Sequence, residues 1–131
     1  MRVMVLAKST PATELVASHR SGGEAMARFT EDLVHAGVLL AADALRPSST
    51  GARVRFDGAA RVVTDGPFRE SPELVAGYWI WQVRSLDEAI EWLKRAPFPD
   101  GSELEIRAVA EGDPSDTPNP SRITTREEPA R

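Results

Sequence analysis

Two stretches of this chain have helical periodicity, and each opens with a serine three residues before a glutamate. Ser21 and Glu24 form the first such capping box, in which each residue satisfies a free backbone N–H at the start of a helix. Met26, Phe29, Leu33 and Ala36 then make one apolar stripe, and Gly37 supplies a left-handed residue to end it. The pattern predicts a helix over 22–36. Ser85 and Glu88 open the second, Leu86, Ala89, Ile90 and Leu93 form its buried stripe, and Pro97 stops it. The pattern predicts a helix over 86–96.

The remaining apolar residues fall in short runs that suit strands. Arg2 to Lys8 is apolar on both faces, as a central or covered strand is. Ser9 to Arg20 reads as a loop with room for a short helix. Val38 to Leu45 is a second strand-like run, stopped by Arg46-Pro47. Arg53 to Phe56 and Arg61 to Thr64 form a hairpin about Asp57-Gly58. Its second arm leads into Asp65-Gly66-Pro67-Phe68. Leu74 to Arg84 holds the most aromatic strand, with Tyr78, Ile80 and Gln82 on one face and Trp79, Trp81 and Val83 on the other. Glu103 to Ala110 is the last strand, with Leu104, Ile106 and Ala108 facing inward.

This order predicts an α+β domain, the ferredoxin-like β-α-β-β-α-β pattern with an inserted hairpin. Two helices on one face of a single antiparallel sheet leave the other face bare. An aromatic bare face in a small domain predicts a homodimer stacked sheet to sheet. From Glu111 onward the chain is rich in Pro, Ser, Thr and Asp, with Ile123 its only large aliphatic. Such a tail, residues 111–131, is expected to be disordered or to lie along a partner subunit.

Composition narrows the chemistry. There is no cysteine, which excludes disulfides, thiolate catalysis and cysteine-ligated metals. The formal net charge of −4 argues against a nucleic-acid partner, which needs a basic face. No apolar run approaches the length of a membrane span, and the opening Met1 to Lys8 is too short for a signal-peptide core. A cytoplasmic location is the expectation, with no membrane partner. No phosphate-binding glycine loop or other cofactor signature is present, so no cofactor is expected. The two histidines, His19 and His35, have no metal-site spacing.

Three blocks in order carry a resemblance: Val63-Thr64-Asp65-Gly66-Pro67-Phe68, Ala76-Gly77-Tyr78-Trp79-Ile80-Trp81, and Leu86-Asp87-Glu88-Ala89-Ile90-Glu91-Trp92. With Arg2 to Lys8 and Glu105-Ile106-Arg107, they make residues 1–110 resemble the YCII-related proteins of the DGPF type. The resemblance implies a dimeric α/β barrel of ferredoxin-like subunits. Most members of this branch have no assigned activity. Relatives in the wider group include enzymes of muconate-like or chlorinated ring-cleavage products that use a His–Asp pair, and some members are linked to extracytoplasmic-function sigma factors. This chain has Glu70-Ser71-Pro72 where the family shows an acidic-Thr-Lys run, and Ala42-Asp43-Ala44 where Gly-Glu-Gly is expected.

Each candidate residue has a chemical and a structural reading. Asp65 would be a general base if it faced a ligand, and a turn residue capping its own loop otherwise. Phe68 is a plug anchoring the loop or a substrate contact. His19, in the irregular segment, is the candidate partner for Asp65 or Asp43, and His35 suits the negative end of the first helix. Asp43, Arg53 and Arg55 line a polar pocket, or the two arginines form the solvent face of the hairpin. Tyr78, Trp79 and Trp81 line an apolar ligand pocket, or belong to the core or a dimer interface. Two functions are therefore expected. One is a dimeric protein binding a small organic ligand, as a lyase or isomerase with Asp65 as base. The other is a non-catalytic accessory or regulatory dimerisation domain linked to sigma-factor circuits.

Overall fold

The computed structural model describes residues 1–13, 23–111 and 127. Along them run strand β1 (Arg2–Ser9), helix α1 (Gly23–His35), strand β2 (Leu39–Ala44), a 3-10 turn (Ser48–Thr50), and strands β3 (Ala52–Asp57) and β4 (Ala60–Asp65). Strand β5 (Leu74–Gln82), helix α2 (Leu86–Lys94) and strand β6 (Leu104–Ala108) complete the order. Four strands form an antiparallel sheet in the order β2-β5-β1-β6, while β3 and β4 pair separately as a hairpin. This mixed α/β arrangement with antiparallel sheets is consistent with the ferredoxin-like α+β fold read from the sequence. No helix among the described residues is long and apolar enough to cross a membrane.

The helix ends follow local chemistry. At the end of α1, Gly37 takes φ 72°. Gly37 N–H donates to Val34 O at 3.0 Å and Val38 N–H to Leu33 O at 2.9 Å, the paired bonds of a Schellman cap. Val38 and Leu33, brought together by that cap, are both buried. At the start of α2, Glu88 N–H donates to Ser85 Oγ, as the capping box predicts, but the Glu88 carboxylate takes Arg84 Nε at 2.7 Å. Ser21, which opens the first box, lies outside the described residues, as does nearly all of the Pro-rich tail. Glu111, where that tail begins, pairs with Arg2 at 3.1 Å. A helical turn at residues 11–13 opens with Thr10 and Thr13 each accepting the other's backbone N–H.

Register decides which face is the core. Val3 pairs with Trp81, Val5 with Trp79 and Ala7 with Gly77, and Val5 also pairs with Ile106. Paired residues share a face, and these face the helices. Trp81 is fully buried there with Val3, Val5, Leu33 and Ala89. Phe29 of α1 is the hub of the cluster. Its ring lies edge-on to Trp79 at 5.9 Å, Trp81 at 6.3 Å and Trp92 at 6.5 Å, in the favoured aromatic geometry.

The expectation of an aromatic bare face is corrected here. Both strand tryptophans lie beneath the helices, and Tyr78 is the aromatic of β5 on the other side. That side carries Met4, Leu6 and Ile80, ringed by charge. Lys8 Nζ lies 3.4 Å from Glu105 and 3.7 Å from Glu73, and Arg107 lies 3.2 Å from Glu105. The Arg107 hydrogen bond, with Lys8 assisting against partial desolvation, holds the Glu105 carboxyl below its ordinary range. The inward expectation for β6 is met by Leu104 and Ile106, both partly buried, whereas Ala108 is exposed.

Phe29→Ala is expected to cost about 3–5 kcal/mol, since it removes the ring that joins three tryptophans. Val34→Ala, one position on the exposed side of α1, is expected to stay within about 0.5 kcal/mol. Urea denaturation followed by tryptophan fluorescence checks both.

Candidate functional site

The Asp65–Phe68 loop is built against the 3-10 turn. Gly66 N–H donates to Gly51 O at 2.9 Å, and Phe68 N–H donates to Ser48 Oγ at 3.2 Å. A Cβ on Gly66 would stand 1.7 Å from Ser48 O, so the loop reaches this depth only with glycine. The Gly66–Pro67 peptide is cis. The Arg53 guanidinium covers the Phe68 ring at 3.9 Å, a cation–π contact that fastens the far side of the loop. Phe68 is half-buried and lines neither of the two cavities described below.

Asp65 itself is exposed and ends β4 opposite Ala52. It lines neither of the two cavities described below. Arg55 sits on the exposed hairpin and pairs with Asp57 at 3.7 Å. His19 lies outside the described residues, so its relation to Asp65 or Asp43 does not enter the geometry. His35 occupies the last turn of α1, as anticipated.

Asp43 and Tyr78 are brought together. They pair across β2 and β5, and the Tyr78 hydroxyl donates to Asp43 Oδ2 at 2.9 Å. This hydrogen bond, together with the carboxylate charge, raises the Tyr78 pKa. Strand alternation puts both side chains on the face away from the helices.

A cavity of about 420 Å³ lies on the opposite, helix-covered side. Its origin is a row across the sheet. Ala44, Gly77 and Ala7 are consecutive partners on β2, β5 and β1, and all lack bulk. The neighbouring row places Trp79 between Ala42 and Val5. The sheet is thus tall at Trp79 and low beside it, and the step remains open under the first half of α1. Met26 and Thr30 of α1 roof the space, and Trp79 and Phe98, 5.9 Å apart edge to face, wall it. Trp81, the other tryptophan considered as a ligand contact, has no exposed surface and does not line it.

Three polar side chains reach the lining from the helix side or the rim. Thr30 Oγ1 donates to Met26 O at 2.8 Å. Ser9 is 8% exposed and its hydroxyl has no hydrogen-bond partner among the described residues, a deficit of about 1–3 kcal/mol for a buried polar group. Arg46 is exposed at the rim, with no ion pair or hydrogen bond among the described residues. Asp43 and Tyr78 border the cavity through their strands while their side chains lie on the other face. A wider groove of about 590 Å³ runs between α2 and the edge strand β6, walled by Leu86, Ile90, Leu93 and Leu104. Among the described residues no cluster of His, Asp and Glu could hold a metal ion.

Sequence reasoning missed Ser9, Arg46, Met26 and Phe98. No local signal marks them, because the row that makes the cavity appears only when three strands are in register. The alanines and Gly77 would have been informative had the pairing been known.

Two expectations follow. Gly66→Ala must displace the Ser48 carbonyl and is expected to cost about 1–3 kcal/mol in thermal or urea unfolding. The second uses the chain's single tyrosine. Tyr78 should ionise above the ordinary value of about 10, and Asp43→Asn should bring it back down, as read by ultraviolet absorbance against pH. Because the folded-state value is the higher one, this contact stabilises the fold below about pH 10 and is lost as pH rises through the raised pKa. Identical titrations for both proteins would show that the pair contributes nothing.

Comparison with known proteins places this geometry in a family. The sequence model of the YCII-related domain matches residues 1–114. The chain is also similar to an uncharacterized protein, R00369, of Rhizobium meliloti (strain 1021), with 31% identity over 88 residues, covering 66% of this chain and 71% of the relative. Strands, helices and both the loop and the cavity fall inside the matched region, and the chain belongs to the YCII-related family.

Proposed function

We propose that this YCII-related protein, read as a DGPF-type member, binds a small organic molecule in the cavity beneath α1 and acts as a homodimer through the bare face of its sheet. The observation that carries the binding reading is the step between Trp79 and the Ala44–Gly77–Ala7 row, next to a buried Ser9 hydroxyl with no partner among the described residues. An aromatic wall with a few convergent polar groups is what a ligand pocket of this size ordinarily offers. Met4, Leu6 and Ile80, half-covered within the chain and framed by Lys8, Glu105 and Arg107, support the dimer part.

The reading is one of binding. A lyase or isomerase with Asp65 as base requires that carboxylate beside the ligand, and Asp65 lies on the exposed end of the hairpin, outside the cavity lining. The same placement favours the second reading, a regulatory dimerisation domain, in which the cavity would take an effector. In either role the Asp65–Phe68 loop acts as a buttress. It holds the 3-10 turn that follows Arg46 and Pro47 at the cavity rim.

A neutral aromatic probe such as 2-naphthol should raise the melting temperature, since a ligand at a hundred times its Kd adds about 2.7 kcal/mol. Ala7→Phe fills the low row and should abolish that rise while the protein stays folded. A rise that survives Ala7→Phe would move the ligand elsewhere. Analytical ultracentrifugation at micromolar concentration should give a dimer that Ile80→Lys dissociates, and a stable wild-type monomer would remove the dimer from the proposal.

A further inference from the structure

We infer that the cavity selects a flat, largely apolar organic acid, with Arg46 receiving the carboxylate at the rim and the Ser9 hydroxyl bonding a polar atom on the ligand's buried body. The inference rests on the binding site proposed above and names the chemistry of its ligand.

The interior sets the body of the ligand. Trp79, Phe98 and Met26 supply two ring surfaces and a deformable thioether, which suit a planar apolar group. Among the described residues lining that interior, the unsatisfied side-chain group is the Ser9 hydroxyl, more than nine-tenths buried and able to donate or accept. Thr30 is already committed to Met26 O. A wholly aliphatic ligand would leave Ser9 without a partner, so the ligand carries a carbonyl, hydroxyl or ring heteroatom inside.

The rim sets the charge. Among the described residues Arg46 is the cation of the lining, and its guanidinium has no carboxylate partner there. The acidic residue of the lining, Asp43, directs its carboxylate to the Tyr78 hydroxyl on the other side of the sheet. The opening therefore presents a positive group whose fork geometry matches a carboxylate. Arg46 is also held in place. Leu45 N–H donates to Ala76 O at 2.8 Å on one side of it. On the other, Pro47 O accepts both Thr50 N–H at 3.0 Å and Thr50 Oγ1–H at 2.8 Å. With the backbone anchored on both sides, less conformational freedom is lost on binding.

The test compares 2-naphthoate with 2-naphthamide, which share a shape and differ in charge. Binding is followed by NMR through the indole N–H signal of Trp79, with Trp81 and Trp92 as internal references. Naphthoate should shift Trp79 and bind roughly tenfold more tightly than the amide, the scale of one charge-assisted hydrogen-bonded pair. Arg46→Gln should bring the two affinities together. 6-Hydroxy-2-naphthoate, which carries a hydroxyl on its buried ring, should bind more tightly than 2-naphthoate, and Ser9→Ala should remove that gain; a gain that survives Ser9→Ala would overturn the Ser9 contact. Equal affinities for acid and amide, or a ratio that survives Arg46→Gln, would overturn the acid selectivity while leaving the cavity as the site. Failure of both probes to move Trp79 would overturn the site and this inference with it.

Discussion

The pairing of β1 with β5 governs the molecule. Val3 against Trp81, Val5 against Trp79 and Ala7 against Gly77 stack two valine–tryptophan rungs beside one nearly empty rung. The full rungs make the core, into which Phe29 and Leu33 of α1 and Ala89 of α2 pack. The empty rung makes the cavity. A slip of one residue would turn both tryptophans out to the bare face and leave Phe29 without the rings it now contacts. Core, cavity and exposed face are three consequences of one register, and the cost of losing the aromatic cluster holds it.

A second constraint links the hairpin to the cavity rim. Gly66 comes so near Ser48 O that no side chain fits between them, and Phe68 N–H takes the Ser48 hydroxyl. Ser48 opens the turn that closes on Pro47 O through Thr50. The conspicuous sequence Asp65-Gly66-Pro67-Phe68 thus acts through its glycine and its backbone. Its acidic and aromatic side chains point to other duties: Asp65 to solvent, and Phe68 to a stacking contact with Arg53. The hairpin beyond is exposed along nearly its whole length, with Phe56 covered on one side by Arg61 at 4.3 Å.

The two faces of the sheet have different chemistry. Beneath the helices, burial is almost wholly apolar, and the Trp81 indole N–H and the Ser9 hydroxyl lack partners among the described residues. On the other face polar groups are matched: Tyr78 with Asp43, and Lys8 with Glu73 and Glu105. Solvent-exposed pairs such as these add little to stability one by one. Their effect here is to bound the apolar strip of Met4, Leu6 and Ile80 on both flanks.

By itself the sequence determined what depends on a few neighbouring residues. The Ser85–Glu88 start of α2, the Gly37 end of α1, the Gly58 turn of the hairpin and the alternation of Tyr78 against Trp79 were all legible, because caps, turns and pleats are set by local hydrogen bonds and backbone angles. It also separated the two faces of β5 correctly, and left open whether the tryptophan face was core or dimer interface. Only the tertiary structure decided which face the helices cover, that Ala7, Ala44 and Gly77 fall in one row, and that Asp65 stands apart from the cavity. Those outcomes depend on contacts between residues far apart in the chain, whose pairing no local pattern specifies.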